Sequence, residues 1–258
     1  MNILIANDDG SEAYGLRLLQ EAVRSVYPDA KIVTLAPRLG QGGQGLAITP
    51  QAAEEIPVEQ IKPNFYVCDG KPADLIYVGL GLPHRFLPHG QFDLVLTGVN
   101  HGQNVGMDVF HSGTVGMAML ASAFFDVPAM AFSQQVEDWT APVEETTFRT
   151  AAEQLPRFLQ DLSEDHRSCR SINFPSRGPK GVRTCRVSMF SRFRPHLVPN
   201  NRRDDEDVAQ LEQGYITISL LPPPCWRQLR MKPVRKSHAL KSNPTLIRCY
   251  SDLFDSAR

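Results

Sequence analysis

The stretch NILIANDDG, residues 2–10, decides the fold, because a short apolar run passes directly into two adjacent aspartates. The run NILIA (2–6) is continuously apolar, as in a strand buried on both faces of a parallel sheet. Residues 12–26 carry Leu and Val at helical spacing, and KIVTLA (31–36) has the pattern of a second buried strand. Together these segments predict one right-handed βαβ unit.

Strand and helix patterns keep alternating through the N-terminal half of the chain. The predicted strands are FYVC (65–68), FDLVLTGV (92–99) and PAMAFS (128–133), and the predicted helices are ADLIYVGLGL (73–82) and TVGMAMLASAFF (114–125). This alternation predicts an α/β fold, Rossmann-like and doubly wound, with a mainly parallel sheet.

The C-terminal half is less regular and predicts a smaller β-rich extension. A helical pattern over 146–162 contains Pro156, where we expect a kink or a break. The segments with strand character are 171–174, 182–188 and 215–221, and residues 192–210 have the composition of a polar loop.

The chain should divide into an α/β domain over 1–221 and a basic arm over 222–258. From Trp226 onward there are eight Lys and Arg against two Asp. The arm lacks the interleaved aromatic residues of a nucleic-acid-binding segment, so we expect it to pack on a neighbouring subunit.

Composition places the chain among ordinary globular proteins. Hydrophobic residues make up 42% and charged residues 21% of 258 residues, and the formal net charge is -1. No global field therefore recruits a nucleic-acid polymer or an acidic lipid surface, and no apolar run is long enough for a membrane partner. The five cysteines are scattered without a C-x-x-C pair, which predicts reduced thiols in a cytoplasmic protein.

The glycine-rich stretch GQGGQG (40–45) matches the dinucleotide-binding pattern G-x-G-x-x-G. That pattern works when it joins the first strand to a helix whose N-terminus binds the pyrophosphate. Here it follows the second predicted strand, and the next residues end at Pro50 without opening a helix. We therefore expect a ligand-side loop at the carboxyl edge of the sheet, where open α/β sheets bind ligands.

The two aspartates after the first strand are candidate metal ligands. Asp8 and Asp9 lie where the chain turns at Gly10, and adjacent carboxylates repel each other unless a positive group holds them. A hard divalent cation with oxygen ligands is the simplest such group. Alternatively, Asp9 caps the following helix, which explains one aspartate but not the pair.

Two further stretches should meet these aspartates at the same edge of the sheet. Asn100 and Asn104, in TGVNHGQN (97–104), offer neutral oxygen donors, although Asn and Gly are also ordinary turn residues. The group Ser112, Gly113 and Thr114 precedes an apolar helix, either as an anion site or as a plain N-terminal cap. A cation beside an anion site is typical of metal-assisted phosphoryl chemistry.

Two histidines, His101 and His111, flank this predicted crevice. Either could transfer a proton, and His111 adjoins Ser112. Most histidines in proteins are not catalytic, so the sequence leaves their role open.

These motifs together resemble the SurE survival-protein family, which are metal-dependent 5'/3'-nucleotidases. The resemblance is dense over residues 1–135 and thinner over 172–221. It is carried by ILIANDDG (3–10), AP and IT around the glycine-rich loop (36–49), GKPAD (70–74), FDLVLTGVNHGQNVGMDVFHSGTVGMAM (92–119), INFP (172–175) and GYITISLL (214–221).

The resemblance implies a Rossmann-like core that hydrolyses nucleoside monophosphates to nucleoside and phosphate. It implies one divalent cation per subunit, Mg²⁺ or Mn²⁺, and a homodimer or homotetramer built partly by exchanged C-terminal arms. The implied metal ligands are Asp8, Asp9 and Asn100, with Asp8 orienting or deprotonating the attacking water. The implied phosphate-site residues are Asn104, Ser112, Gly113 and Thr114.

Four departures from the family pattern bear on metal affinity, specificity and assembly. Gly42 stands where the family has a serine ligand, Lys71 replaces a threonine in G-T-P-x-D, and Tyr14 replaces the proline of A-P-G. The segment 192–214 is also shorter than in the family. Because both aspartates are intact, we still expect an active enzyme, with a catalytically weakened nucleotide- or phosphate-binding protein as the alternative. A nicotinamide oxidoreductase would rest on the glycine pattern alone.

Overall fold

The computed structural model describes residues 1–87, 90–138, 142–160, 169–190 and 203–221. They form a nine-stranded sheet with helices on both faces. The strands are β1 (Asn2–Ala6), β2 (Lys31–Ala36), β3 (Val58–Lys62), β4 (Phe65–Cys68), β5 (Leu94–His101), β6 (Ala129–Gln134), β7 (Cys169–Phe174), β8 (Val182–Cys185) and β9 (Ile216–Leu221). The helices are α1 (Tyr14–Val26), α2 (Pro72–Gly81), α3 (Gly113–Phe125), α4 (Arg149–Gln160) and α5 (Asp207–Glu212).

The strand order β3-β4-β2-β1-β5-β6-β7-β9-β8 places β1 between β2 and β5. The chain therefore builds outward from β1 first on one side and then on the other. From β4 to β7 in this order, every two neighbouring strands are parallel, so the carboxyl ends of these six strands lie at one edge of the sheet. Ligands bind at such a reversal of strand order, outside the carboxyl ends of the strands. The predicted Rossmann-like, mainly parallel α/β fold is confirmed.

Side chains of β1 alternate between two cores, one on each face of the sheet. Leu4 and Ala6 pack with α2 and α3, whereas Ile3 and Ile5 pack with α1 and α4. All four are fully buried, which explains why this strand is continuously apolar. Both faces of the sheet are thus covered at β1, which leaves the end of this strand for a site.

The C-terminal β-rich extension is present but differs in detail from the prediction. β9 pairs antiparallel with β7 and parallel with β8, and β8 ends at Cys185 instead of residue 188. The helix α5 begins inside the predicted loop 192–210 and ends at Glu212, and the loop residues before 203 fall outside the described ranges. Its six residues give too short an apolar pattern to be recognised in sequence.

Two other elements depart from the expectations. The strand β3 was not predicted, because it is an edge strand whose side chains are largely exposed and show no clear alternation. The helix α4 runs through Pro156 without the expected break. Burial of Ala151, Leu155 and Leu159 against the sheet offsets the one hydrogen bond that the proline cannot donate.

Among the helices that the structure describes, none combines the length and the apolar character needed to cross a membrane. The predicted arm, 222–258, lies outside the described residues, so its packing on a neighbour stays a prediction.

Candidate active site

Asp8 lies just beyond the end of β1 and is almost fully buried, with 2% of its surface exposed. Its carboxylate accepts a short hydrogen bond from the Thr114 hydroxyl and further bonds from the backbone of Gly113 and Thr114. Burial nevertheless raises the pKa of Asp8 above its ordinary value, because these bonds offset the loss of hydration only in part. A carboxylate is thus held at the start of α3, where the helix dipole favours negative charge.

Gly113 allows this close approach of strand and helix. A Cβ atom at this position would lie 2.6 Å from Asp8 Oδ2 and 2.9 Å from Pro72 Cγ. Both separations are far below van der Waals contact, so a side chain here would displace the Asp8 carboxylate. Glycine is required by the site itself and not by the helix.

Asp9 follows directly and turns toward the other face of the sheet, where its Oδ2 accepts a hydrogen bond from the His101 backbone at 3.0 Å. Burial and the negative charge of Asp8 raise the pKa of Asp9 to about 7. The alternative role of Asp9 as a helix cap is excluded, since α1 begins at Tyr14 with Ala13 at its cap position.

Asn100 brings an amide oxygen to the same cluster from β5. Its Oδ1 lies 3.2 Å from the Thr114 hydroxyl, and its Nδ2 donates to the Gly102 carbonyl at 2.8 Å. The pairing of β5 with β6 is irregular between Thr97 and Asn100, and Gly98 within it has a positive φ of 115°. Such a bulge re-aims the following side chain, which here is Asn100.

The cluster is rich in negative charge. Within the described part of the chain, none of the ion pairs involves Asp8 or Asp9. No group of three or more His, Cys, Asp or Glu is assembled there either, so a cation would be held by two carboxylates and neutral oxygens. The buried carboxylate of Asp8 and the half-buried one of Asp9, beside an amide oxygen, fit a hard divalent cation, whose charge would offset their mutual repulsion.

The glycine-rich loop closes over this cluster, as expected for a ligand-side loop. The Gln41 backbone donates to the Asp8 carbonyl at 2.7 Å, and the Gly45 backbone donates to the His111 carbonyl at 3.0 Å. Gly42, between these two anchors, is exposed, and a Cβ atom there would meet nothing within 4 Å. The loop can therefore accept a side chain at the position where the family pattern has its serine.

Only some of the predicted phosphate-site residues lie beside Asp8. Thr114 and Gly113 contact Asp8, and Ser112 caps α3 by accepting a hydrogen bond from Val115 at 3.1 Å. The cap interpretation is therefore confirmed for Ser112. Asn104 lies farther along the edge, where its Nδ2 donates to Ser133 Oγ at 2.9 Å. A phosphate role for these four residues stays a prediction.

The two histidines differ in their surroundings. His101 is half-buried beside Asp9, and burial lowers its pKa, which favours the neutral imidazole. His111 is exposed, and its backbone, not its side chain, anchors the glycine-rich loop.

Sequence reasoning missed several buried polar residues that support the cluster. Thr97 donates to the Thr114 carbonyl at 2.8 Å and so fixes the start of α3 on β5. Asn173 accepts from the Asn104 backbone at 2.8 Å. Asp74 caps α2 by accepting a hydrogen bond from the Lys71 backbone, and it also accepts two from Thr49, which ties the segment after the glycine-rich loop to α2. The sequence signal that could have revealed such residues is a polar residue inside or directly after a buried strand.

The fold and the site define a class of α/β protein with an acidic, oxygen-rich crevice at the carboxyl edge of the sheet. The sequence profile of the Survival protein SurE family matches residues 3–194. The chain belongs to this family, as predicted.

Curated relatives are similar over most of their length. A protein named 5'-nucleotidase SurE from Cereibacter sphaeroides is 35% identical, covering 85% of this chain and 92% of that protein. One of the same name from Campylobacter jejuni is 30% identical, covering 91% and 96%. The SurE protein from Aquifex aeolicus has the same fold, with a TM-score of 0.71 at 23% identity over 91% of this chain and 98% of that one.

Proposed function

We propose that this chain, a nucleotidase by its family, is a divalent-metal-dependent phosphomonoesterase that hydrolyses nucleoside monophosphates to nucleoside and phosphate. The observation that carries the proposal is the pair of the buried Asp8 and the half-buried Asp9, which have no positive partner among the described residues and lie at the switch point of a mainly parallel sheet. The relatives named 5'-nucleotidase support the substrate class.

Asp8, Asp9 and Asn100 would hold one cation, Mg²⁺ or Mn²⁺. Such a cation polarises phosphoryl oxygens and acidifies water. A phosphate brought to the start of α3 would meet the Asp8 carboxylate, so these two anions need positive charge between them. Their proximity is a further argument for the cation.

The remaining steps fall to the chain's own groups. The phosphate would bind at the start of α3, near Gly113 and Thr114, with Ser112 and Asn104 completing its surroundings. Asp8 would orient or deprotonate the attacking water, because its carboxylate lies directly at that helix start. The crevice is formed by strand ends and one helix start, so its geometry is fixed before substrate binds.

Phosphate release from a panel of nucleoside monophosphates, with Mg²⁺ or Mn²⁺ and with or without a chelator, tests the proposal. Asp8→Asn and Asp9→Asn should each lower activity by about 100-fold or more and abolish the rise in Tm caused by Mn²⁺. The matched control is Asp29→Asn, which removes an exposed carboxylate in the turn between α1 and β2. Absence of phosphate release with every metal and nucleotide would refute the proposal.

The second candidate is a catalytically weakened nucleotide- or phosphate-binding protein, favoured by Gly42 in place of a serine. Calorimetry would then show nucleotide binding without turnover. Water can replace one neutral ligand on a cation that keeps several waters, which is why we prefer the enzyme. We further propose that the protein is cytoplasmic and forms a homodimer or homotetramer.

A further inference from the structure

A cavity of about 390 Å³ opens beside Asp9. Its volume is in the range of small-molecule sites, roughly 300–1,000 Å³. The cavity lies at the starts of α1 and α4, whereas the start of α3 adjoins Asp8. Its main lining residues are Asp9, Tyr14, Arg17, His101, Val143 and Phe148.

Three rings give this cavity an aromatic wall. Phe148 is only 1% exposed and forms the floor, while Tyr14 and His101 are half-buried. The ring centroid of Phe148 lies 5.4 Å from that of Tyr14 and 6.2 Å from that of His101. Because Tyr14 and His101 line the cavity and are only half-buried, part of each ring is accessible there, and another flat ring can stack on it.

The rim of the cavity is polar. The Arg17 guanidinium lies 5.6 Å from the centroid of the Tyr14 ring, and one of its nitrogens donates to the Glu12 carbonyl at 3.1 Å. A guanidinium carries five N–H donors, so others remain for a ligand. Burial and the nearby Glu145 carboxylate raise the pKa of Tyr14, so a negative charge also lies at this rim. Flat apolar walls with charged groups at the rim suit a heteroaromatic ring better than an aliphatic chain.

We propose that this cavity binds the nucleobase of the substrate, with Tyr14 as a residue that determines specificity. The inference rests on the proposed function, since the phosphate is placed at Asp8 and the cavity is the adjoining space past Asp9. Tyr14 stands at the first position of α1, where proline is often found because its missing N–H has no helical partner. The tyrosine is thus not needed to form the helix, and its ring is available to the ligand.

The test compares adenosine 5'-monophosphate with ribose 5-phosphate, which has the same phosphate ester but no base. Base–aromatic stacking predicts that Tyr14→Ala lowers the ratio of kcat/KM for these two substrates by about five- to ten-fold. Tyr14→Phe keeps the ring and should lose less. The matched control is Phe124→Ala, which removes a partly exposed ring, 44% accessible, at the far end of α3 and should leave the ratio unchanged.

An unchanged ratio of kcat/KM in Tyr14→Ala, whether or not both values fall, would overturn the inference while the proposed function stands. If no phosphomonoester is hydrolysed, the proposed function fails. Calorimetry with adenosine then tests the base site separately. Adenosine binding that Tyr14→Ala weakens at least five-fold would support the cavity as a base site. Absence of adenosine binding by the parent protein, or binding that Tyr14→Ala leaves unchanged, would overturn it.

Discussion

Single residues at the carboxyl edge of the sheet have roles that depend on their neighbours more than on their type. Asp8 and Asp9 are adjacent in sequence, yet one contacts the start of α3 and the other the backbone of β5. Asp74, another buried acid, instead caps α2 and ties Thr49 to that helix. Carboxylates of the same chemistry are thus divided between a candidate site and the scaffold.

The Gly42→Ser variant tests whether the glycine-rich loop limits metal binding. The position has free space and no positive φ, so a serine fits without strain. We expect a several-fold tighter Mn²⁺ affinity by calorimetry, because a protein hydroxyl would replace a water. Gly43→Ser is the control, since its φ of 77° disfavours a side chain. An unchanged affinity in Gly42→Ser would mean that water fills the position equally well or that the serine alignment is wrong.

The raised pKa of Asp9 predicts how stability varies with pH when no divalent cation is present. Its pKa rises from 3.8 to about 7 on folding, so between these values the folded state binds more protons than the unfolded state. The free energy of unfolding therefore falls as pH rises through this window.

Urea unfolding in a chelator at pH 5 and pH 8 measures this effect. The parent protein should lose stability relative to Asp9→Asn as pH rises, and Mn²⁺ should restore it by offsetting the carboxylate repulsion. A constant difference between parent and variant at both pH values would contradict the prediction.

At the scale of elements, the site depends on the close contact between β1 and the start of α3. Thr97 fixes α3 to β5, and the glycine-rich loop is hydrogen-bonded to Asp8 and His111. Three elements and one loop therefore hold the cluster, so a small shift of α3 should alter it without unfolding the domain.

Gly113→Ala tests this contact. The added methyl group would lie 2.6 Å from Asp8 Oδ2, so the carboxylate or the helix must move, and we expect activity to fall by about 100-fold. Circular dichroism should show an intact fold. Gly81→Ala, in α2, is the matched control, because its nearest contact would be 4.0 Å away and the helix tolerates alanine better than glycine. Full activity in Gly113→Ala would show that the contact does not position Asp8.

At the scale of the whole molecule, the strand order decides where the site lies. The chain builds from β1 outward in two directions, and the resulting reversal opens a crevice between β1 and β5. Asp8 and Asp9 follow β1, and Asn100 lies in β5. Residues more than 90 positions apart thus meet because their strands are neighbours.

The prediction at the scale of the whole molecule concerns its oligomeric state. If the basic arm over 222–258 packs on a neighbouring subunit, light scattering should give a dimer or tetramer for the full chain and a smaller species after truncation at Leu221. The control is removal of the last few residues alone, which should leave the assembly intact. An unchanged mass after truncation at Leu221 would place the subunit contacts in the α/β domain.

The sequence by itself determined the alternation of buried strands and amphipathic helices, because continuous apolar runs and helical spacing are local properties. The bounds of β2 and β4 agree with the prediction to the residue. It also determined the family, since NDDG and the asparagine and Ser-Gly-Thr block are specific. The edge strand β3 and the short helix α5 could not be predicted, because neighbours and not local pattern stabilise them.

Only the tertiary structure decided which polar residues form one cluster. It separates Asn104, bonded to Ser133, from Asn100, which accepts a hydrogen bond from Thr114, the partner of Asp8. It also gives Ser112 a capping role and brings Tyr14 to a cavity beside Asp9. The physical reason is that hydrogen-bond partners and cavity walls come from strands and helices distant in sequence, and only the packed sheet fixes their distances.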